Sequence, residues 1–190
     1  MAQVSIIGTG NMGQAIAGVV TRGGSTVQVL GHADTAPVTG DVVVLAVPYP
    51  AVADILATRA GQLAGKVVVD ITNPLNFETF DSLVVPADSS SAAALAAALP
   101  QSRVLKAFNT TFAATLAART VGSLPTTVLI AGDDADAKST LAGIVTSGGV
   151  RAVDAGSLKR ARELEAIGFL QLTLAAGEKI SWTGGFGVVA

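Results

Sequence analysis

Short runs of β-branched and aliphatic residues alternate along this chain with longer stretches rich in Ala and Leu. Successive βαβ units around a parallel sheet produce that pattern. Strands are predicted over residues 4–7, 26–30, 42–46, 67–70, 104–107, 126–131 and 150–154. Several are apolar at every position, as in Val42-Val43-Val44-Leu45, which requires cover on both faces. Helices are predicted over residues 12–22, 51–60, 91–99, 113–118, 134–147 and 158–176. The helix at 91–99 follows Ser89-Ser90, whose hydroxyls can cap free N–H groups, and continues in strong helix formers. Only about ten residues separate the second strand from the third, too few for a crossover helix. A loop must cross there.

The first strand runs directly into Gly8-Thr9-Gly10-Asn11-Met12-Gly13, which in turn opens the first helix. In that setting Gly-x-Gly-x-x-Gly is a dinucleotide-binding signature: Gly8 permits the tight turn, Gly10 lets a diphosphate approach the backbone, and Gly13 lets helix and strand pack closely. Free N–H groups at the helix start then face the phosphates. The expected architecture is an α/β, Rossmann-type doubly wound sheet, mainly parallel, with helices on both faces. It has a shortened connection between the second and third strands, a C-terminal helix and a Gly-rich tail. One domain over residues 1–190 is expected, in which 156–190 form an extension that reaches the substrate pocket or a dimer contact.

In such sheets ligands bind beyond the carboxyl ends of the strands. After the second strand the chain reads Gly31-His32-Ala33-Asp34. A carboxylate there would favour the ribose hydroxyl of NAD, a cation the 2'-phosphate of NADP. His32 can donate to a phosphate, while a solvated loop histidine is an equal reading. After the third, fourth and fifth strands come Val47-Pro48-Tyr49-Pro50, Ile71-Thr72-Asn73-Pro74-Leu75-Asn76 and Phe108-Asn109-Thr110-Thr111. These amide- and hydroxyl-rich loops could orient a nicotinamide carboxamide and a second substrate, although Asn-Pro segments also make ordinary turns.

Composition narrows the chemistry. With 12 Lys and Arg against 14 Asp and Glu the formal net charge is −2, far from the basic surface that nucleic-acid binding needs. The absence of Cys and the single His argue against a disulfide framework, a zinc site or a Ser-His-Asp triad. Residues 1–21 carry no charge but read as strand, glycine loop and helix rather than a secretion leader. No apolar run is long enough to span a bilayer, and a cytoplasmic, membrane-free protein is expected. Reduction of a carbonyl or imine normally needs a matched proton donor. The candidates away from the adenosine end are Tyr49, which could instead cap the nucleotide, and Lys106, which could instead be a paired structural charge. Such scarcity tilts the second substrate toward a redox ring. In the last helix the charged half is read as solvated, with Glu163 or Glu165 paired to Arg160 or Arg162. Its apolar half is read as core or subunit contact, and a homodimer is plausible around Phe169. The tail, 177–190, with Trp182 and Phe186, folds over the crevice or completes the core.

The stretches Ile7-Gly8-Thr9-Gly10-Asn11-Met12-Gly13, Ala46-Val47-Pro48-Tyr49, Asp70-Ile71-Thr72-Asn73-Pro74-Leu75, Lys106-Ala107-Phe108-Asn109-Thr110 and Gly156-Ser157-Leu158-Lys159-Arg160-Ala161-Arg162-Glu163-Leu164-Glu165 carry a resemblance. In their order and spacing, the whole chain resembles NADP-dependent reductases of the deazaflavin coenzyme F420 and the cytosolic domain of six-transmembrane ferric reductases. The resemblance implies hydride exchange between NADP(H) and a deazaflavin (coenzyme F420) or flavin ring. Family members show a serine and an arginine after the second strand, where this chain has His32 and Ala33, so NAD stays open beside NADP. The candidate cofactor-binding residues are Gly8, Thr9, Gly10, Asn11, Met12, Gly13, His32, Ala46, Val47, Pro48, Tyr49, Thr72, Asn73, Pro74 and Asn109. No catalytic acid or base and no metal ligand is assigned. Two other readings stand beside this one: a nucleotide-binding sensor or partner subunit without turnover, and a small NAD(P)H-dependent imine or carbonyl reductase.

Overall fold

The computed structural model describes residues 2–189. In chain order it holds β1 (Gln3–Ile7), α1 (Asn11–Arg22), β2 (Thr26–Leu30), β3 (Val42–Leu45), α2 (Val52–Leu63), β4 (Val67–Asp70), α3 (Ser91–Ala98) and β5 (Arg103–Lys106). There follow α4 (Ala113–Ala118), β6 (Thr120–Val121), β7 (Leu124–Pro125), β8 (Thr127–Gly132), α5 (Ala135–Ser147), β9 (Arg151–Gly156) and α6 (Ala161–Ala176). Single 3-10 turns precede α2 and α6. Every strand and helix expected from the sequence forms within a few residues of its expected place. The short β6–β7 hairpin had no signal of its own.

Seven strands make one sheet in the order β2-β1-β3-β4-β5-β8-β9. All neighbours are parallel except β5 and β8, because α4 and the hairpin return the chain before β8 begins. The two faces hold separate apolar clusters. On one, Val4, Ile6, Val44 and Val69 pack against Ile16, Val19 and Val20 of α1 and Leu141 and Val145 of α5. On the other, Ile7, Val43, Leu45 and Val68 pack against Ile55 and Leu63 of α2 and Ala92 and Leu95 of α3. This is the double winding expected of strands apolar at every position. Between β2 and β3 no helix forms, and residues 31–41 cross as a loop.

Register fixes where the loops emerge. Ile7 pairs with both Leu30 and Leu45, and Asp70 pairs with both Leu45 and Lys106. The loops after β1, β2, β3, β4 and β5 therefore start at one level along the same rim of the sheet. The chain leaves β1 toward β2 on one side, while β3 lies on the other, so a crevice opens between their loops.

One charge cluster ties this rim to the helices. Lys106, fully buried, lies 2.9 Å from Asp70 Oδ2 and 2.8 Å from Glu165 Oε1. The Ser91 hydroxyl oxygen lies 2.6 Å from Asp70 Oδ2 and 2.7 Å from Glu165 Oε1, and its one proton is shared between the two carboxylates. The backbone N–H groups of Ser91 and Ala92, at the start of α3, donate to Glu165 at 3.0 and 3.4 Å, where the positive end of the helix dipole favours an anion. Glu165 is thus not the solvated partner of an arginine that local spacing suggested. It spans from α6 to α3 and β5, and the surface pair that does form is Arg160–Glu163 at 3.5 Å.

Removing the cation would leave two buried carboxylates facing each other. Lys106→Met is expected to cost about 3–5 kcal/mol, read as a lower urea midpoint with an unchanged slope.

Candidate functional site

Gly8 ends β1 at φ +128°, and a Cβ there would stand 2.0 Å from the carbonyl oxygen of Ala46. Only glycine lets the first loop lie against the end of β3. Gly13 plays the matching part in α1, since a Cβ would stand 2.2 Å from the Gly8 carbonyl oxygen. Gly10 differs from both: nothing lies within 4 Å of where its Cβ would be. It is the N-cap of α1 and offers no side chain to the helix's first N–H groups. The turn therefore combines two sterically required glycines with a third that faces open space beside uncapped amides.

Those amides border a cavity of about 530 Å³, within the range of small-molecule sites. Gly10, Asn11 and Met12 line it beside Ala46, Val47, Pro48 and Tyr49, and Thr72, Asn73 and Asn109 join them from the loops after β4 and β5. Gly8, Thr9 and Gly13 shape the turn without lining the cavity, and Pro74 and His32 lie outside its lining. Pro74 accepts the Val84 amide proton at 2.7 Å, closing the excursion that carries Phe77. His32 is exposed on the loop after β2.

Aromatic side chains supply much of the remaining surface: Phe77, Phe108, Phe112 and Trp182. Trp182 leans on Phe112 with ring centroids 5.0 Å apart at 54°, and Phe77 meets Phe80 edge-on at 5.9 Å. Trp182 and Phe77 stay half exposed at 51% and 50%, so two flat apolar surfaces stand at the mouth. The tail that carries Trp182 is tied down by buried Gln171, which donates to the Thr110 carbonyl at 3.3 Å and accepts the Phe186 amide proton at 2.9 Å. Phe108 adopts φ +63°, a left-handed conformation costing a bulky residue about 1–3 kcal/mol. Its carbonyl is held by the Thr111 amide and hydroxyl at 3.1 and 2.8 Å.

Beside it the two asparagines lock each other. Asn73 donates to the Asn109 carbonyl at 2.9 Å, and Asn109 Nδ2 donates to Asn73 Oδ1 at 2.9 Å and to the Leu164 carbonyl at 2.8 Å. The Leu164 carbonyl can only accept, so the orientation of the Asn109 amide is determined. Its Oδ1 is then left buried without a partner among the described residues, a group that costs about 1–3 kcal/mol unless a donor arrives. Gly168 of α6 leaves the room for this pair, since a Cβ would fall 2.2 Å from Asn73 Oδ1.

Among the described residues, Tyr49 is the one titratable side chain in the lining. Lys106 is walled off beneath Thr72, whose carbonyl oxygen accepts one of its protons. The sequence singled out the polar lining residues by position after each strand. It had no local signal for Phe77 and Phe112, which only the tertiary fold brings to the site.

Residues 26–74 match the family described as NADP oxidoreductase, coenzyme F420-dependent. The chain is 33% identical over 149 residues to the F420-dependent NADP reductase of Methanocaldococcus jannaschii, covering 76% of this chain and 66% of that one. It is 39% identical over 112 residues to Metalloreductase STEAP3 of Rattus norvegicus, covering 59% of this chain and 22% of that one. The chain thus spans just under two thirds of the first relative and under a quarter of the second. Among solved structures, one from Arthrobacter sp. FB24, provisionally assigned as an F420-dependent NADP-reductase, superposes with a TM-score of 0.84 at 24% identity and covers 100% of both chains. That likeness establishes the shared fold.

The contrast between crowded and open glycines can be measured. Gly168→Ala is expected to destabilise by about 1–3 kcal/mol through forced displacement of the asparagine pair. Gly10→Ala should stay within about 1 kcal/mol, the usual difference between Gly and Ala at an N-cap. Urea unfolding of both variants distinguishes them.

Proposed function

We propose that this chain, a relative of the F420-dependent NADP reductases, exchanges hydride between NADP(H) and a deazaflavin or flavin ring. The observation that carries the proposal is the cavity itself: uncapped helix amides at one side, aromatic faces at its mouth, and no ionisable lining group but Tyr49. The residues fit a dinucleotide. The open space at Gly10 admits a diphosphate against the first N–H groups of α1, and the unpartnered Oδ1 of Asn109 would accept a carboxamide N–H. Ala46, Val47, Pro48 and Tyr49 line the cavity where they would border the nicotinamide, and Phe77 and Trp182 would offer faces for a second planar ring.

When bound, NADPH supplies a hydride, and the oxidised ring accepts it with a proton from water. The protein's own contribution is to hold and align. The asparagine pair, held by its own hydrogen bonds and by the Leu164 carbonyl, would fix one edge of the bound ring. The apolar walls exclude water from the transfer path, and alignment of this kind contributes through proximity rather than proton transfer. A dedicated acid is unnecessary because the acceptor ring exchanges its proton with solvent. The small-molecule partners are thus redox cofactors, and no helix among the described residues is long and apolar enough to cross a membrane.

Stopped-flow absorbance with NADPH and oxidised deazaflavin tests the assignment. Rapid loss of the oxidised-ring band is expected, whereas tight NADPH binding without ring reduction would favour a sensor. Tyr49→Phe should keep the rate within about threefold, since aligned hydride transfer asks no proton of it. A loss of about 100-fold or more would instead favour a carbonyl or imine reductase that uses the phenol as acid. Gly10→Ala should raise the Kd for NADPH about tenfold or more by filling the space that the diphosphate needs. Quenching of Trp182, the chain's one tryptophan, reads that binding directly.

A further inference from the structure

The loop after β2 holds a carboxylate whose position could not be read from spacing. Asp34 lies beyond the strand, yet its side chain folds back so that Oδ2 accepts the Gly31 amide proton at 2.5 Å. Gly31 also adjoins the glycine loop, since a Cβ on it would stand 3.3 Å from Asp34 Oδ2 and 3.6 Å from Thr9 Cγ2. The negative charge therefore sits at the carboxyl end of β2, beside the turn that would carry the diphosphate. The loop is braced from α2, where Arg59 donates to the carbonyl oxygens of Asp34 and, at 2.8 Å, Ala36.

In a dinucleotide site the adenosine ribose meets whatever stands at the end of β2. A carboxylate accepts from the ribose hydroxyls and repels a 2'-phosphate, which carries about two negative charges. The groups that could welcome the phosphate are less well placed. His32 and Asp34 are both exposed, but the Asp34 carboxylate is held at the strand end by the Gly31 amide, and both terminal guanidinium nitrogens of Arg59 are engaged by carbonyl oxygens. We infer that Asp34 sets the nucleotide choice, so that this chain accepts NAD(H) at least as well as NADP(H). The inference rests on the reading of the cavity as a dinucleotide site.

Calorimetric titration of the full chain with NADH and with NADPH, repeated on Asp34→Asn and Arg59→Gln, tests it without requiring turnover. Asparagine keeps an oxygen that can accept from Gly31, so the turn survives while the charge is removed. For the native chain the Kd for NADPH should equal or exceed that for NADH. In Asp34→Asn NADPH should tighten about tenfold relative to NADH, and that gain should shrink as salt rises. Arg59→Gln should weaken both nucleotides alike. The inference is overturned if the native chain binds NADPH more tightly than NADH, if Asp34→Asn leaves the ratio unchanged, or if Arg59→Gln weakens NADPH selectively, which would seat the phosphate on the guanidinium. If neither nucleotide binds the native chain, the dinucleotide reading itself falls and this inference with it.

Discussion

The ammonium of Lys106 holds this structure's working end together. It sits at the last position of β5 with Asp70 at the last position of β4, and the pair would suffice to neutralise one buried charge. A second carboxylate arrives from Glu165, and the cluster stays compact because the start of α3 offers that carboxylate two backbone N–H groups as well. Burying three ionised groups is costly unless each is fully engaged. Here each of them is, by the ion contacts and by the Ser91 hydroxyl between them. Two strands and two helices meet at one point as a result.

From that point the cavity inherits its geometry. Lys106 also donates to the Thr72 carbonyl, fixing the first turn of the loop after β4, and Asn73 follows at once. Glu165 positions α6, whose Leu164 carbonyl receives Asn109 and whose Gly168 clears the space for the asparagine pair. Further along the same helix Leu172 lines the cavity and Gln171 anchors the tail that brings Trp182 to its mouth. A group that never touches the cavity therefore controls which groups do. The charges that rigidify the rim are separated from the cavity by a backbone carbonyl, so the cavity is lined by apolar and neutral polar groups rather than by ions.

Local signals were legible wherever chemistry and chain direction coincide. Apolar runs such as Val42-Val43-Val44-Leu45 read as buried strands, and Gly8, Gly10 and Gly13 between a strand and a helix read as a tight turn, so the fold and the glycine loop followed from the sequence. The polar candidates followed from the rule that ligands gather beyond strand ends. What failed to show was non-local. Glu165 lies within reach of Arg162 on a helix drawn in isolation, and nothing in that spacing reveals a lysine nearly sixty residues earlier in the chain. Phe77 and Phe112 stand in loops of ordinary composition, and their convergence with Trp182 exists only after the sheet is wound. Strand direction was equally hidden, because an apolar run reads alike whether β8 lies parallel or antiparallel to β5.

The shortened passage from β2 to β3 has a physical consequence beyond its length. A crossover helix there would shield the end of β2 and bring its own side chains to that end of the rim. Without one, residues 31–41 must satisfy their backbone from neighbours, and they do so through Gln28, Gln62 and Arg59. The loop's polar groups are consumed in holding its path, and the Asp34 carboxylate is drawn back to the strand by the Gly31 amide. With no helix between β2 and β3, the end of β2 is bordered by a braced turn that presents a carboxylate. The glycine turn stands directly beside this loop, with Thr9 Cγ2 3.6 Å from where a Gly31 Cβ would be, whereas the asparagine pair is held by the loops after β4 and β5 and by α6, so the form of that part of the cavity does not depend on how β2 is joined to β3.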